Sequence, residues 1–144
     1  MKLIDINILI YAVNPASRFH TRIRSWWEEL LEGTEPVGLA WLVLVGFIRV
    51  STNPKAFDRP LTLDQALGEV DCWLANPIVR LVQETDEHWS KLHQLVESVG
   101  TAANLTNDAH LAALANSYGA TIVSSDRDFS RFRGLRWENP LDSP

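Results

Sequence analysis

The sequence predicts an α/β fold: a short, mostly parallel central sheet flanked by helices on both faces. Three observations carry that expectation. Brief apolar runs of strand character alternate with longer runs of helical periodicity, the pattern of a parallel sheet wound with crossover helices. Two of the strand-like runs, residues 1–5 and 119–126, end in aspartate, and ligands of open parallel sheets sit outside the carboxyl ends of the strands. A third aspartate, Asp108, starts the helix that leads into the second of those runs. Repeats, low-complexity tracts and interdomain linkers are absent from the 144 residues. Residues 1–144 therefore read as one domain, with 137–144 as a loosely ordered tail.

Taken in order, residues 1–5 open the chain as a strand with Asp5 at its carboxyl end. Residues 7–13 form a short helix that stops at Asn14-Pro15, because proline disfavours helix at the residue before it. Ser17 opens a longer helix to about Glu32, ended by Gly33, with Ile23, Trp26, Trp27 and Leu30 on its apolar face. Residues 36–40 form a second strand. Residues 41–50 are apolar nearly all round, so periodicity does not separate helix from strand there, and length favours helix.

Residues 55–60 are a loop. Thr62 and Gln65 form a capping box opening a helix with Leu63, Ala66, Leu67, Val70 and Trp73 inward, closed at Asn76-Pro77. Residues 79–82 are a third strand. Asp86 caps a helix with Trp89, Leu92, Leu95, Val96 and Val99 inward, stopped by Gly100. Thr106 caps the next helix, and Gly119 takes the left-handed conformation past its last turn. In it, Leu111, Leu114, Ala115 and Tyr118 follow a 0, 3, 4, 7 stripe. Asp108, three positions before Leu111, falls on the same face, in the first turn where the helix dipole favours a carboxylate. A strand over 119–125 follows, then Asp126 and Asp128, and a partly ordered stretch from Arg131.

Hydrophobic residues make up 46% of the chain and charged residues 22%, enough apolar content for a core and no sign of disorder. The single Cys72 excludes an internal disulfide and a cysteine-based zinc site, as in a reducing cytoplasm. No basic leader followed by an apolar stretch opens the sequence. The longest apolar run, 39–48, is interrupted by Gly46 and is too short to span a bilayer. The net charge of −5 argues against broad electrostatic binding of nucleic acid. It leaves open an enzyme that gathers acids around a metal, because the ion then supplies the positive field for phosphate. Carboxylates brought to one crevice repel unless a cation or proton intervenes, and all-oxygen donors select a hard divalent ion, Mg²⁺ or Mn²⁺.

Three segments together resemble the PIN domain, and within it the VapC-type toxins of bacterial toxin–antitoxin pairs. They are Asp5-Ile-Asn7-Ile-Leu-Ile-Tyr11, Asn107-Asp108-Ala-His-Leu-Ala-Ala-Leu-Ala115 and Gly119-Ala-Thr-Ile-Val-Ser-Ser-Asp126-Arg-Asp128-Phe129. The resemblance implies a metal-dependent endoribonuclease acting on cellular RNA, tRNA or ribosomal RNA, and neutralised by a cognate antitoxin. It implies a homodimer; the cytoplasmic location and the lack of membrane association are expected from Cys72 and the short apolar run. By the same resemblance Asp5, Asp108 and Asp126 coordinate the metal, Asp128 serves a second metal or the outer shell, and Asn7 steadies Asp5. Arg127 and Arg131, beside the third segment, are candidate phosphate contacts.

The chain departs from the family's pattern at Gly46, which stands where many relatives carry a glutamate, and this favours one tightly held metal over two. Two other readings compete. One is a catalytically degenerate PIN-fold module that binds metal or RNA. The other is an aspartate-based phosphotransferase, which needs a second aspartate where this chain has Asn7. His110 lies about 200° around the helix from Asp108 and is expected to face away in a structural role. His20, His88 and His93 show no ligand spacing. Most of the six tryptophans are expected in the core, with one of the adjacent Trp26 and Trp27 at its edge. Arg22, Arg24 and Arg49 read as solvated faces.

Overall fold

A computed structural model describes residues 1–142. Strand β1 (Lys2–Ile4) lies at the centre of a five-stranded sheet in the order β3-β2-β1-β4-β5, and every pairing is parallel. The other strands are β2 (Val37–Ala40), β3 (Val79–Val82), β4 (Thr121–Val123) and β5 (Trp137–Glu138). The helices are α1 (Ile6–Val13), α2 (His20–Glu32), α3 (Trp41–Ser51), α4 (Leu63–Ala75), α5 (His88–Val99) and α6 (Thr106–Tyr118). From β1 the chain steps outward to β2 and β3, then returns across the sheet to β4 beside β1. Right-handed crossovers place α1 to α4 on one face and α5 with α6 on the other. Packing agrees: α1 contacts α2 and α3, α3 contacts α4, and α5 contacts α6. The two strands at the reversal, β1 and β4, carry Asp5 and Ser124 just beyond their carboxyl ends.

Local signals explain most boundaries. The capping box at Thr62 and Gln65 forms as expected, with both reciprocal hydrogen bonds present. Gly119 closes α6 at φ +59°, a conformation costly for any residue with a Cβ. The apolar 41–50 run is a helix. Two expected caps are not made. Thr106 is the first residue of α6 rather than its cap, because a 3₁₀ turn at Ala103–Leu105 leads directly into the helix. Asp86 gives way to Glu87 at the start of α5, without a side-chain bond. Ser17 also lies ahead of its helix; its Oγ accepts from the Phe19 amide and α2 begins at His20.

The expected tail holds more structure than its sequence announces. Trp137–Glu138 form β5 on β4, and ahead of that tail a 3₁₀ turn spans Arg127–Arg131. Phe129 and Phe132 are buried against the core, and Lys2 pairs with Glu138 across the sheet. Ser143 and Pro144 of that expected tail lie outside the described residues. The helix faces need correction as well. Ala66, Val70 and Trp73 bury α4, whereas Leu63 is 61% exposed. On α5 only Leu95 is fully buried, and Trp89 is 70% exposed. Of the tryptophans, Trp27 and Trp73 are buried in edge-to-face contact, Trp26 and Trp137 are half-buried, and Trp41 and Trp89 are exposed. Among the described residues no helix is long and apolar enough to cross a membrane.

Candidate active site

The parallel register Ile4↔Val123 sends Asp5 and Ser124 out of the sheet side by side. Asp5 caps α1: its Oδ1 accepts from the Ile6 amide at 2.8 Å. Its Oδ2 accepts from Ser124 Oγ at 2.7 Å and from Asn7 Nδ2 at 3.0 Å. Asn7 also donates to Ser124 Oγ at 2.9 Å, and its Oδ1 accepts from the Ser125 amide at 3.1 Å. Ser124 Oγ accepts in turn from the Asp126 amide at 3.0 Å. Asp5, Asn7, Ser124 and Asp126 thus form one hydrogen-bonded unit joining residues more than a hundred positions apart. Asn7 sits where the sequence reading put it, against Asp5. Ser124 was missed: a serine after a strand is common, and its importance lies only in bridging two remote segments.

Asp126 caps the 3₁₀ turn by accepting from the Asp128 amide at 2.9 Å. Asp108 approaches from the first turn of α6. Asp5, Asp108 and Asp126 line one cleft of about 260 Å³ with Asn7, Gly46 and Arg49. Oxygens of Asp108, Asp126 and Asp128 lie within 4.8 Å of one another. The tightest group therefore contains Asp128 and not Asp5, which is 6% exposed and fully engaged in hydrogen bonds.

The electrostatics follow from that crowding. Desolvation pushes the Asp108 carboxyl from 3.8 to about 7, reinforced by the charges of Asp126, Asp5 and Asp128. Burial also raises Asp5, opposed by the hydrogen bonds from Ser124 and Ile6. Carboxylates held close against their own repulsion, with all-oxygen donors, form a set that a hard divalent cation satisfies. The donor chemistry fits a metal.

The remaining candidates divide. Arg127 is drawn onto Asp142 at 2.7 Å, and it and Arg131 are exposed on the 3₁₀ turn away from the cleft lining. Arg49, expected on a solvated face, is exposed and also lines the cleft. His110 does turn from the acids, but it is not isolated. Its Nδ1 meets His88 Nε2 at 2.9 Å and its Nε2 lies 3.3 Å from Glu84, a chain that ties α5 to α6. Desolvation and the neighbouring His88 lower the His110 pKa, with Glu84 opposing. A signal was available in the sequence, since His88 and His110 fall on successive helices that an α/β fold packs together.

A parallel sheet whose switch point gathers aspartates from β1, α6 and β4 defines a class, and the sequence falls within it. The PIN domain model matches residues 2–135, and the chain belongs to that family. It is 46% identical to Ribonuclease VapC37 of Mycobacterium tuberculosis over 97% of both chains. It is 42% identical to Ribonuclease VapC43 of the same organism, over 99% of this chain and 97% of that one. The structure resembles a chain of VapBC2 from Rickettsia felis, solved bound to a fragment of promoter DNA. The TM-score is 0.69 at 20% identity, covering 96% of this chain and 97% of the other.

Proposed function

We propose that the protein is a divalent-metal-dependent endoribonuclease and the toxin of a toxin–antitoxin pair. The convergence of Asp5, Asp108 and Asp126 on one cleft, with Asp128 beside them, carries the reading. In it Asp108, Asp126 and Asp128 hold Mg²⁺ or Mn²⁺ directly or through water, and Asp5 completes the set from the floor of the cleft. A metal so held supplies Lewis acidity to a phosphodiester and lowers the pKa of a bound water. The Asp108 carboxyl, pushed up to about 7 by desolvation and the charges of Asp126, Asp5 and Asp128, is a group whose ionised form a bound cation would favour. Asn7 and Ser124 hold Asp5 in the geometry the site requires.

The substrate class follows from the relatives, which are named ribonucleases; we assign cellular RNA, tRNA or ribosomal RNA, as substrate. An antitoxin is the second partner. The exposed apolar side chains of α3, Trp41, Leu42 and Val45, run into the cleft at Leu42 and support a protein that covers both. The same reading takes residues 1–144 as a single domain, a homodimer and a cytoplasmic protein. The glycine at position 46, which leaves α3 without an acid, favours the rival reading of a metal-binding module that does not cut.

Induced expression of the wild type and of Asp108→Asn, followed by mapping of new RNA 5′ ends, separates the two. New ends are expected only with the wild type. Equal cleavage by both proteins would remove Asp108 from the site, and Mn²⁺ binding without cleavage by either would leave the non-cutting module.

A further inference from the structure

We propose that Arg49 grips the RNA phosphate opposite the metal, so that the α3 wall of the cleft contributes a cation to the substrate and no carboxylate to the ion. This rests on the ribonuclease reading above and deepens it. Among the described residues lining the cleft, Arg49 is the single cationic side chain, and it faces the same space as Asp5, Asp108 and Asp126. Yet it is in no ion pair among the described residues, so its guanidinium stays more than 4.0 Å from every carboxylate oxygen of those residues. A guanidinium that shares a cleft with acids but reaches none of them leaves a gap between the opposite charges. Such a separation is what a phosphate needs if its oxygens are to be shared between an ion on the acids and the planar fork of an arginine.

Gly46, one helical turn earlier, sharpens the contrast. It is buried, and a Cβ built there would lie 2.9 Å from Ile6 Cδ1. Helix α3 is thus pressed close to α1, and the next turn along brings Arg49 to the opening. In a chain of net charge −5 whose cleft is otherwise acidic, a cation at this point offsets the repulsion an incoming RNA meets. Arg49 also lies in the last turn of α3, where a cation favours the helix dipole; the test has to separate that role from phosphate binding.

The test uses the full chain and a fluorescently labelled single-stranded RNA of mixed sequence. Binding is followed by anisotropy in Ca²⁺ over a series of salt concentrations, with Mn²⁺ affinity and melting temperature measured alongside. Arg49→Ala is expected to weaken RNA binding about 10- to 100-fold, as for loss of a charged hydrogen-bonded contact. It should also reduce the log–log salt slope by about 0.7 for one lost phosphate contact on a single strand. Mn²⁺ affinity should stay equal or tighten. Arg49→Lys should recover the salt slope and only part of the affinity. Unchanged RNA affinity and slope in Arg49→Ala, with wild-type binding intact, would overturn the proposal and leave the ribonuclease reading standing. A joint fall in melting temperature, Mn²⁺ affinity and RNA affinity would overturn it too, by making Arg49 a support of the fold. A wild type that binds Mn²⁺ but no RNA would sink both readings together.

Discussion

The buried hydroxyl of Ser124 donates to Asp5 and accepts from Asn7 and the Asp126 amide, so its removal takes one hydrogen bond from each of three polar groups and leaves the Asp126 amide without that partner. Ser124→Ala is expected to cost about 1–3 kcal/mol of stability, read by urea denaturation, and to push the Asp5 carboxyl higher still. Asp5→Asn is not a clean way to probe the metal, because both Asp5 oxygens act as acceptors and an amide would set a donor against the Asn7 donor. Asp108 makes the better probe. Its folded-state pKa is raised, to about 7 from 3.8. It therefore contributes stability that is complete below pH 3.8 and is lost as pH rises through 7. Without metal, the wild type should lose ~1–2 kcal/mol relative to Asp108→Asn between pH 5 and pH 7.5, after discounting for a half-exposed group. Denaturation of both proteins at the two pH values checks the difference. The aspartates were legible in the sequence because Asp5, Asp108 and Asp126 recur in three remote segments in one order, although an acid after a single strand is common. Ser124 and Arg49 were not, since a small polar residue at a strand end and an arginine on a helix have many ordinary reasons to be there.

At the scale of elements, apolar periodicity located each helix but did not choose between neighbouring stripes. In α4, both the buried Ala66, Val70 and Trp73 and the exposed Leu63, Leu67 and Leu74 follow helical spacing, and only the sheet and α3 decide which is covered. The buried stripe is anchored by Trp73, which contacts Trp27 and Phe47 at ring-centroid distances of 5.9 and 4.8 Å. Trp73→Ala should therefore cost about 3–5 kcal/mol, visible as a lowered denaturation midpoint, whereas Leu67→Ala should change it by a small fraction of that. Against α1, Gly46→Ala sets a contact of 2.9 Å with the flexible end of Ile6 against the better helix propensity of alanine, worth about 1 kcal/mol. A stability change within about 1 kcal/mol is expected by the same measurement. Strand β5 escaped notice because two residues show no alternation, and its identity depends on a partner strand already being in place.

For the molecule as a whole, the switch point between β1 and β4 turns a sheet built for burial into a site built for charge. Native protein alone assembles the acids, so a bound divalent ion stabilises folding by mass action. At 100 times its dissociation constant, Mn²⁺ should add about 2.7 kcal/mol, seen as a rise in melting temperature that EDTA reverses and that Asp108→Asn largely lacks. The alternation of strands and helices, and the meeting of Asp5, Asp108 and Asp126, could be read from the sequence because topology rules bring strand ends together. The roles within the cluster could not, because which oxygens face one another depends on side-chain geometry set by Ser124 and Asn7. The Ser124 amide donates to the Glu138 carbonyl, and the Trp137 indole donates to the Ser124 carbonyl, so the hub of the acidic cluster is braced by the strand formed last in sequence. A chain in which β5 comes away from β4 keeps Asp5, Asp108, Asp126 and Asp128 in its sequence yet loses that brace.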